Sequence, residues 1–233
     1  SAAGETRISP APHSGEAPRP SATPAGFLIK PLALFVALAI GNPLAQANPT
    51  NPTVVSGSAS FNQAGNALTV TNTPNAIINW GSFSIGQNEL TRFVQQNSAS
   101  AVLNRVTGQD PSQILGQLQS NGRVFIINPN GVLFGQGAKI DVAGLVASSL
   151  NISNEDFLAG KMRFIGNGAE GAVKNAGDIT TPGGGQIILI APNVENSGII
   201  TSPNGEIILA AGHTVELADT LNPALRVEIT APE

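Results

Sequence analysis

Asn121-Gly-Arg-Val-Phe-Ile-Ile-Asn-Pro-Asn-Gly-Val-Leu-Phe-Gly135 holds two apolar runs around a four-residue corner, Asn128-Pro129-Asn130-Gly131. Val124 to Ile127 is short, β-branched and aromatic, which predicts a strand, and Val132 to Phe134 predicts the next one. Proline presets φ, and Asn-Gly accepts φ > 0 at low cost, so the corner is built to be tight. It is either a hairpin turn or one corner of a coil that returns to the same place on its next lap. The rest of the chain has to decide.

Working outward, composition narrows the class. Of 233 residues only 11% are charged and 4% aromatic, while 26 are Gly and 17 Pro. Such a chain is too apolar and too patterned for disorder, and too poor in Lys, Glu and Leu for a helical protein. Turn formers mixed with Val, Ile and Thr predict an all-β protein of many short strands. The net charge of −4 argues against a nucleic-acid partner. The absence of cysteine removes disulfides, thiol catalysis and thiolate metal sites together.

The internal repeat lies in the last third. Asn175-Ala176-Gly177-Asp178-Ile179 recurs as Asn196-Ser197-Gly198-Ile199-Ile200, a shift of 21, and Ile187-Ile188-Leu189 recurs as Ile207-Ile208-Leu209, a shift of 20. Pro182-Gly183-Gly184-Gly185 and Pro203-Asn204-Gly205 occupy matching turns. Short strands and glycine turns at this period predict a solenoid, in which each lap buries its apolar face only against its neighbours. Three short strands per lap around a triangular core give a parallel β-helix, and parallel crossovers favour the right hand. Corner asparagines can stack in ladders along such a rod. Residues 48–233 would make roughly nine laps, a rod about 45 Å tall.

Other strands are expected at Ala67 to Thr71, Ala76 to Trp80, Arg92 to Val94, Ala101 to Val106 and Met162 to Ile165. Gln113 to Gln119 is ambiguous: Asp110-Pro111 resembles a helix start, but Ile114, Gly116 and Leu118 alternate with polar residues, which favours a strand. Ser153-Asn154-Glu155-Asp156 opens a helical turn that Gly160 ends. Residues before about Ala76 lack the period and are the expected N-terminal cap. No capping segment follows Leu221, as though the rod continued beyond Glu233.

The first 47 residues read differently. Ser1 to Gly26 is a patternless Pro/Ala/Ser leader, expected to be disordered. Residues 27–47 carry Lys30, the apolar run Leu32 to Ile40, the break at Gly41-Asn42-Pro43, and Ala45-Gln46-Ala47. That order describes a secretory signal peptide cleaved after Ala47, with a buried helix or short anchor as the plainer alternative. The domain then spans 48–233.

Several segments resemble the secretion domain of two-partner secretion exoproteins, the family of filamentous haemagglutinins and high-molecular-weight adhesins. They are Asn75-Ala76-Ile77-Ile78-Asn79-Trp80, Ser82-Phe83-Ser84-Ile85-Gly86, Phe93-Val94-Gln95, Ser100 to Val106, Asn128 to Gly131, Gly144 to Ser148 and Ile152 to Glu155. The resemblance implies a right-handed parallel β-helix near the start of a large Gram-negative exoprotein. It also implies a partner, an outer-membrane β-barrel transporter. The transporter's periplasmic POTRA domains would recognise the chain before it folds. The chain would then be threaded outward and fold outside, to be secreted or displayed on the cell surface. The family's Asn-Pro-Asn-Gly motif maps onto Asn128, Pro129, Asn130 and Gly131. Its Asn-Pro-Asn-Leu motif has no clean match, and Thr73-Pro74-Asn75-Ala76 is nearest, which makes Asn75, Asn79 and Trp80 a second candidate recognition segment.

Turn chemistry alone explains all four corner residues, so the corner is either structural, a recognition element, or both. His213, the one histidine after the signal, makes no metal site by itself. Gly183 to Gly185 lacks the residues of a phosphate loop or a calcium β-roll. Asp141, Asp178 and Asp219 are spread along the chain and do not form the converging acids that hydrolysis needs. No catalysis, metal or cofactor is therefore expected. The other function class is a cell-surface adhesin module that binds host glycan or protein directly, and exposed aromatic platforms would favour it.

Overall fold

The computed structural model describes residues 48–217 and the backbone of 227–229. The leader, the signal peptide and its cleavage site at Ala45 and Ala47 lie outside the described residues.

The chain begins with β1 (Thr53–Ser56) and β2 (Ala59–Ala64). Laps follow as β3 (Ala67–Asn72) and β4 (Ala76–Trp80), then β5 (Leu90–Val94) and β6 (Ala101–Val106). Next come β7 (Ser112–Ile114), β8 (Gln117–Ile127), β9 (Val132–Phe134) and β10 (Lys139–Ser148). An excursion leaves the rod as β11 (Asn151–Ile152), α1 (Asn154–Leu158) and β12 (Met162–Ile165). The rod resumes with β13 (Val173–Asn175), β14 (Asp178–Thr180) and β15 (Gln186–Ala191), then β16 (Val194–Asn196), β17 (Ile199–Thr201) and β18 (Glu206–Ala211). β19 (Thr214–Leu217) runs antiparallel beside β12, and β20 (Val227–Ile229) antiparallel beside β19, so that with β11 they complete a small flanking sheet in the order β11-β12-β19-β20.

Three parallel ladders make the solid, a right-handed parallel β-helix. The first face stacks β3, β5, the start of β8, the start of β10, β14 and β17. The second stacks β4, β6, the end of β8, the end of β10, β15 and β18. The third stacks β7, β9, β13 and β16. Strands β8 and β9 never pair with each other, so Asn128 to Gly131 is a coil corner and not a hairpin turn.

The repeat read from sequence is the ladder register itself: Asn175 lies opposite Asn196, Asp178 opposite Ile199, and Ile187 opposite Ile207. Elsewhere the laps are longer. On the second face Ile77, Leu103, Phe125, Val146, Ile188 and Ile208 stack in one row, spaced by 26, 22, 21, 42 and 20 residues. The long step contains the excursion. The expected nine laps are thus too many: each of the first two faces holds six parallel rungs among the described residues.

The cap is also shorter than expected. Only β1 and β2 precede the laps, antiparallel to β4 and β3, whereas β3 is already a parallel rung, so the cap ends before Ala67 and not near Ala76. Gln113 to Gln119 is not one strand: it is the end of β7 and the start of β8, on different faces, with Leu115 and Gly116 as the corner between them, and Asp110-Pro111 is a bend before β7 and not a helix start. α1 forms as read: Ser153 Oγ accepts from the Asp156 amide at 3.0 Å, and Gly160 leaves the helix at φ +71°.

Alternation within each strand gives two cores. Inward rows such as Ala76, Val102, Val124, Leu145 and Ile187 fill the rod. The outward row of the second face, Ile77 to Ile188, is equally buried, because α1, β12 and β19 lie over it with Phe157, Phe164 and Val215. Arg105 fastens the excursion there. It donates to Asn151 Oδ1 at 3.1 Å, Asn154 Oδ1 at 2.8 Å and the Ile152 carbonyl at 2.6 Å. Burial holds its guanidinium below its ordinary pKa, with Glu155 opposing.

Candidate functional site: a corner closed by its neighbours

Asn128 to Gly131 is a β-turn, with the Gly131 amide on the Asn128 carbonyl at 2.9 Å. Asn128 Oδ1 also accepts from the Asn130 amide at 3.0 Å, the local hydrogen bond that asparagine offers to a turn. Gly131 takes φ +106°, which only glycine adopts without strain.

The adjacent laps hold every part of this turn. From the lap before, the Asp110 carbonyl and Ser112 Oγ each accept from Asn128 Nδ2 at 3.0 Å. The Gly108 carbonyl accepts from Asn130 Nδ2 at 2.9 Å, and the Ser112 amide donates to the Gly131 carbonyl at 3.0 Å. From the following chain, the Ser148 carbonyl accepts from the Asn128 amide at 2.9 Å, and the Gly171 amide donates to the Pro129 carbonyl at 2.8 Å. A Cβ on Gly171 would lie 2.3 Å from the Asn130 carbonyl oxygen, so the backbones touch. Asn128 is fully buried, Gly131 buried, and Pro129 and Asn130 half-buried.

The Gly166–Gly171 loop that closes the corner is itself tied down by a carboxylate. Glu170, whose side chain is 2% exposed, accepts from the amides of Asn167 and Gly168 and lies 3.6 Å from His213 Nδ1. Burial acts to raise the Glu170 pKa, but these donors outweigh it and hold the carboxyl below its usual range. His213, in the bend before β19, therefore serves as a neighbour of this loop.

The second candidate segment does not form a patch. Asn75 is exposed in a turn at φ +57°. Trp80 is buried in the core, its Nε1 donating to Asn104 Oδ1 at 2.9 Å, with Phe61 and Phe83 edge-on at 5.5 and 5.7 Å. Asn79 is half-buried between them. The segment is a rung, and its residues point to different surroundings. Of the seven phenylalanines among the described residues, Phe61 alone is exposed, at 37%, so no face carries an aromatic platform.

Sequence reasoning missed the corner's partners. Gly108, Asp110, Gly171 and Glu170 have no motif of their own. One signal was present: Asp110-Pro111 stands immediately before β7 as Asn130-Gly131 stands before β9, 20 residues later, and so marks a corner one lap earlier.

The chain resembles known proteins over most of this rod. The HMW1 secretion domain from Haemophilus influenzae superposes with a TM-score of 0.74 at 40% identity, over 79% of this chain and 50% of that one. The filamentous hemagglutinin secretion domain, 16% identical with a TM-score of 0.52 over 79% of this chain and 68% of that one, shares the fold. A heme/hemopexin-binding protein of Haemophilus influenzae is 46% identical over 105 residues, 45% of this chain and 12% of the relative. The chain thus spans a small part of that curated relative. The family model described as TPS secretion domain matches residues 45–232, and with the corner and rod in their expected places the chain belongs to the two-partner secretion domain family.

Proposed function

We propose that this domain is the export handle of a larger exoprotein and that its corner is read before it folds. A dedicated outer-membrane transporter with POTRA domains recognises Asn128 to Gly131 in the unfolded or partly folded chain. The chain passes outward, and the β-helix closes outside the cell. One observation carries this reading. In the folded rod Asn128 is 0% exposed and the turn's polar groups bond to neighbouring laps. A receptor can reach the Asn128 side chain only while the laps are apart. Once the laps close, the chain cannot rebind, so folding outside gives transport a direction. The domain works without catalysis or a cofactor, and the scarcity of exposed aromatics supports the handle over a glycan-binding module.

The test is release of the full chain, with its leader, into the medium, with and without a candidate partner barrel. Asn128→Ala/Asn130→Ala is compared with Leu189→Ala, a fully buried rod residue away from the corner. Leu189→Ala should cost about 2–5 kcal/mol in stability. Partner-dependent release that the corner variant loses more completely than an equally destabilised Leu189 variant supports the reading. Equal release with and without the barrel sinks it.

A further inference from the structure

A groove of about 550 Å³ runs along the rod between the second face and the excursion, within the size range of small-molecule sites. Two rows of the second face form its floor. One row runs Asn75, Ala101, Arg123, Gly144, Gln186 and Glu206, with polar side chains at four of its six positions; the apolar row beside it includes Phe125, Ile188 and Ile208. Phe157, Met162 and Leu217 supply the opposite wall.

The charges in this groove are unequally satisfied. Its acids have partners: Glu206 accepts from Gln186 Nε2 at 3.0 Å, and Glu216 lies 4.0 Å from Arg163. Its cations do not. Among the described residues no carboxylate lies within ion-pair distance of Arg123 or Lys161. The Arg123 guanidinium is half-buried over the Phe125 ring, 5.6 Å from its centroid, and its stem rests on Gly144, where a Cβ would meet Arg123 Cγ at 3.1 Å. A desolvated guanidinium held in place without an acceptor is a ready partner for an anion.

The shape selects the rest of the ligand. From Arg123 to Glu206 the groove crosses three rung spacings, about 14 Å. An extended peptide laid along it would cross the strands, whose amides are already paired within the ladder, and would leave its own backbone unpaired. An acyl chain has no such groups. We propose that the groove binds a monocarboxylate with an unbranched apolar tail, its carboxylate on Arg123 and its tail along Phe125, Ile188 and Ile208. Glu206 at the far end disfavours a second carboxylate.

The experiment is calorimetric titration of the folded 233-residue chain with dodecanoate, dodecanol and dodecanedioate, each below its aggregation concentration. Dodecanoate should bind saturably at one site, and dodecanol and the diacid at least tenfold more weakly. Arg123→Gln should weaken dodecanoate at least tenfold and leave dodecanol unchanged. The acid–alcohol comparison needs no variant, so it stands even if Arg123→Gln fails to fold. Equal affinity for acid and alcohol, or no saturable binding, overturns the proposal.

Discussion

The tripeptide Pro-Asn-Gly occurs twice, at Pro129 to Gly131 and at Pro203 to Gly205, and the two copies fold differently. In the first, the positive φ falls on Gly131, and Asn130 turns inward to the Gly108 carbonyl. In the second, the positive φ falls on Asn204, at +52°, and Pro203, Asn204 and Gly205 are all exposed. The residue before each tripeptide marks the difference. Asn128 has two amide protons and a carbonyl, enough to reach Asp110, Ser112 and the Asn130 amide together. Ser202 has one hydroxyl, which meets Thr181 Oγ1 at 2.9 Å and the Gly185 carbonyl at 2.6 Å. Local turn chemistry is therefore shared, and the surrounding laps decide which copy is locked.

Three substitutions probe that contrast, each read by chemical denaturation of the folded chain. The largest effect is expected at Asn128→Ala, which strands the Asn130 amide and the Ser112 hydroxyl in a buried site; a loss of about 3 kcal/mol is expected. Should Asn128→Ala cost no more than a surface substitution, the locked corner is misread. Next is Gly131→Ala. A side chain at φ +106° is strained, and its Cβ would sit 2.7 Å from the Ala172 carbonyl oxygen; about 2 kcal/mol is expected. Smallest is Asn204→Ala, where the exposed turn loses only the tolerance of asparagine for positive φ, about 1 kcal/mol or less. Equal losses at Asn128 and Asn204 would erase the distinction between the two turns.

Much of this fold was legible in the sequence, and unevenly so. Asn175 to Leu209 showed its register directly because two laps of equal length follow one another there. The earlier laps vary from 20 to 29 residues between paired positions, as with Gln113 opposite Leu133 and Ile85 opposite Ile114, so no single period reports them. The estimate of nine laps failed for that reason and because the excursion consumes a lap's worth of chain without adding a rung. The corner was found from its turn residues. Its burial was not, because the groups that close it come from positions 108, 110, 112, 148 and 171, which share no motif. Lone arginines gave no signal either. Arg105 finds its acceptors 46 to 49 residues onward, a distance that only the laps make short.

The 42-residue step between Val146 and Ile188 has a consequence in time. A rod that grows one lap at a time from its N-terminal end needs about 21 residues for most rungs and twice that for this one. The extra closure entropy is small, about 0.6 kcal/mol for a doubled loop. The delay is not small, since twice the length of chain must arrive before the next rung can dock. During such a pause Ile77, Leu103, Phe125 and Val146 would form a bare apolar strip, because the helix and strands that cover it would be still to come. A rod built in that order would then be at its stickiest, for as long as the next forty residues took to arrive.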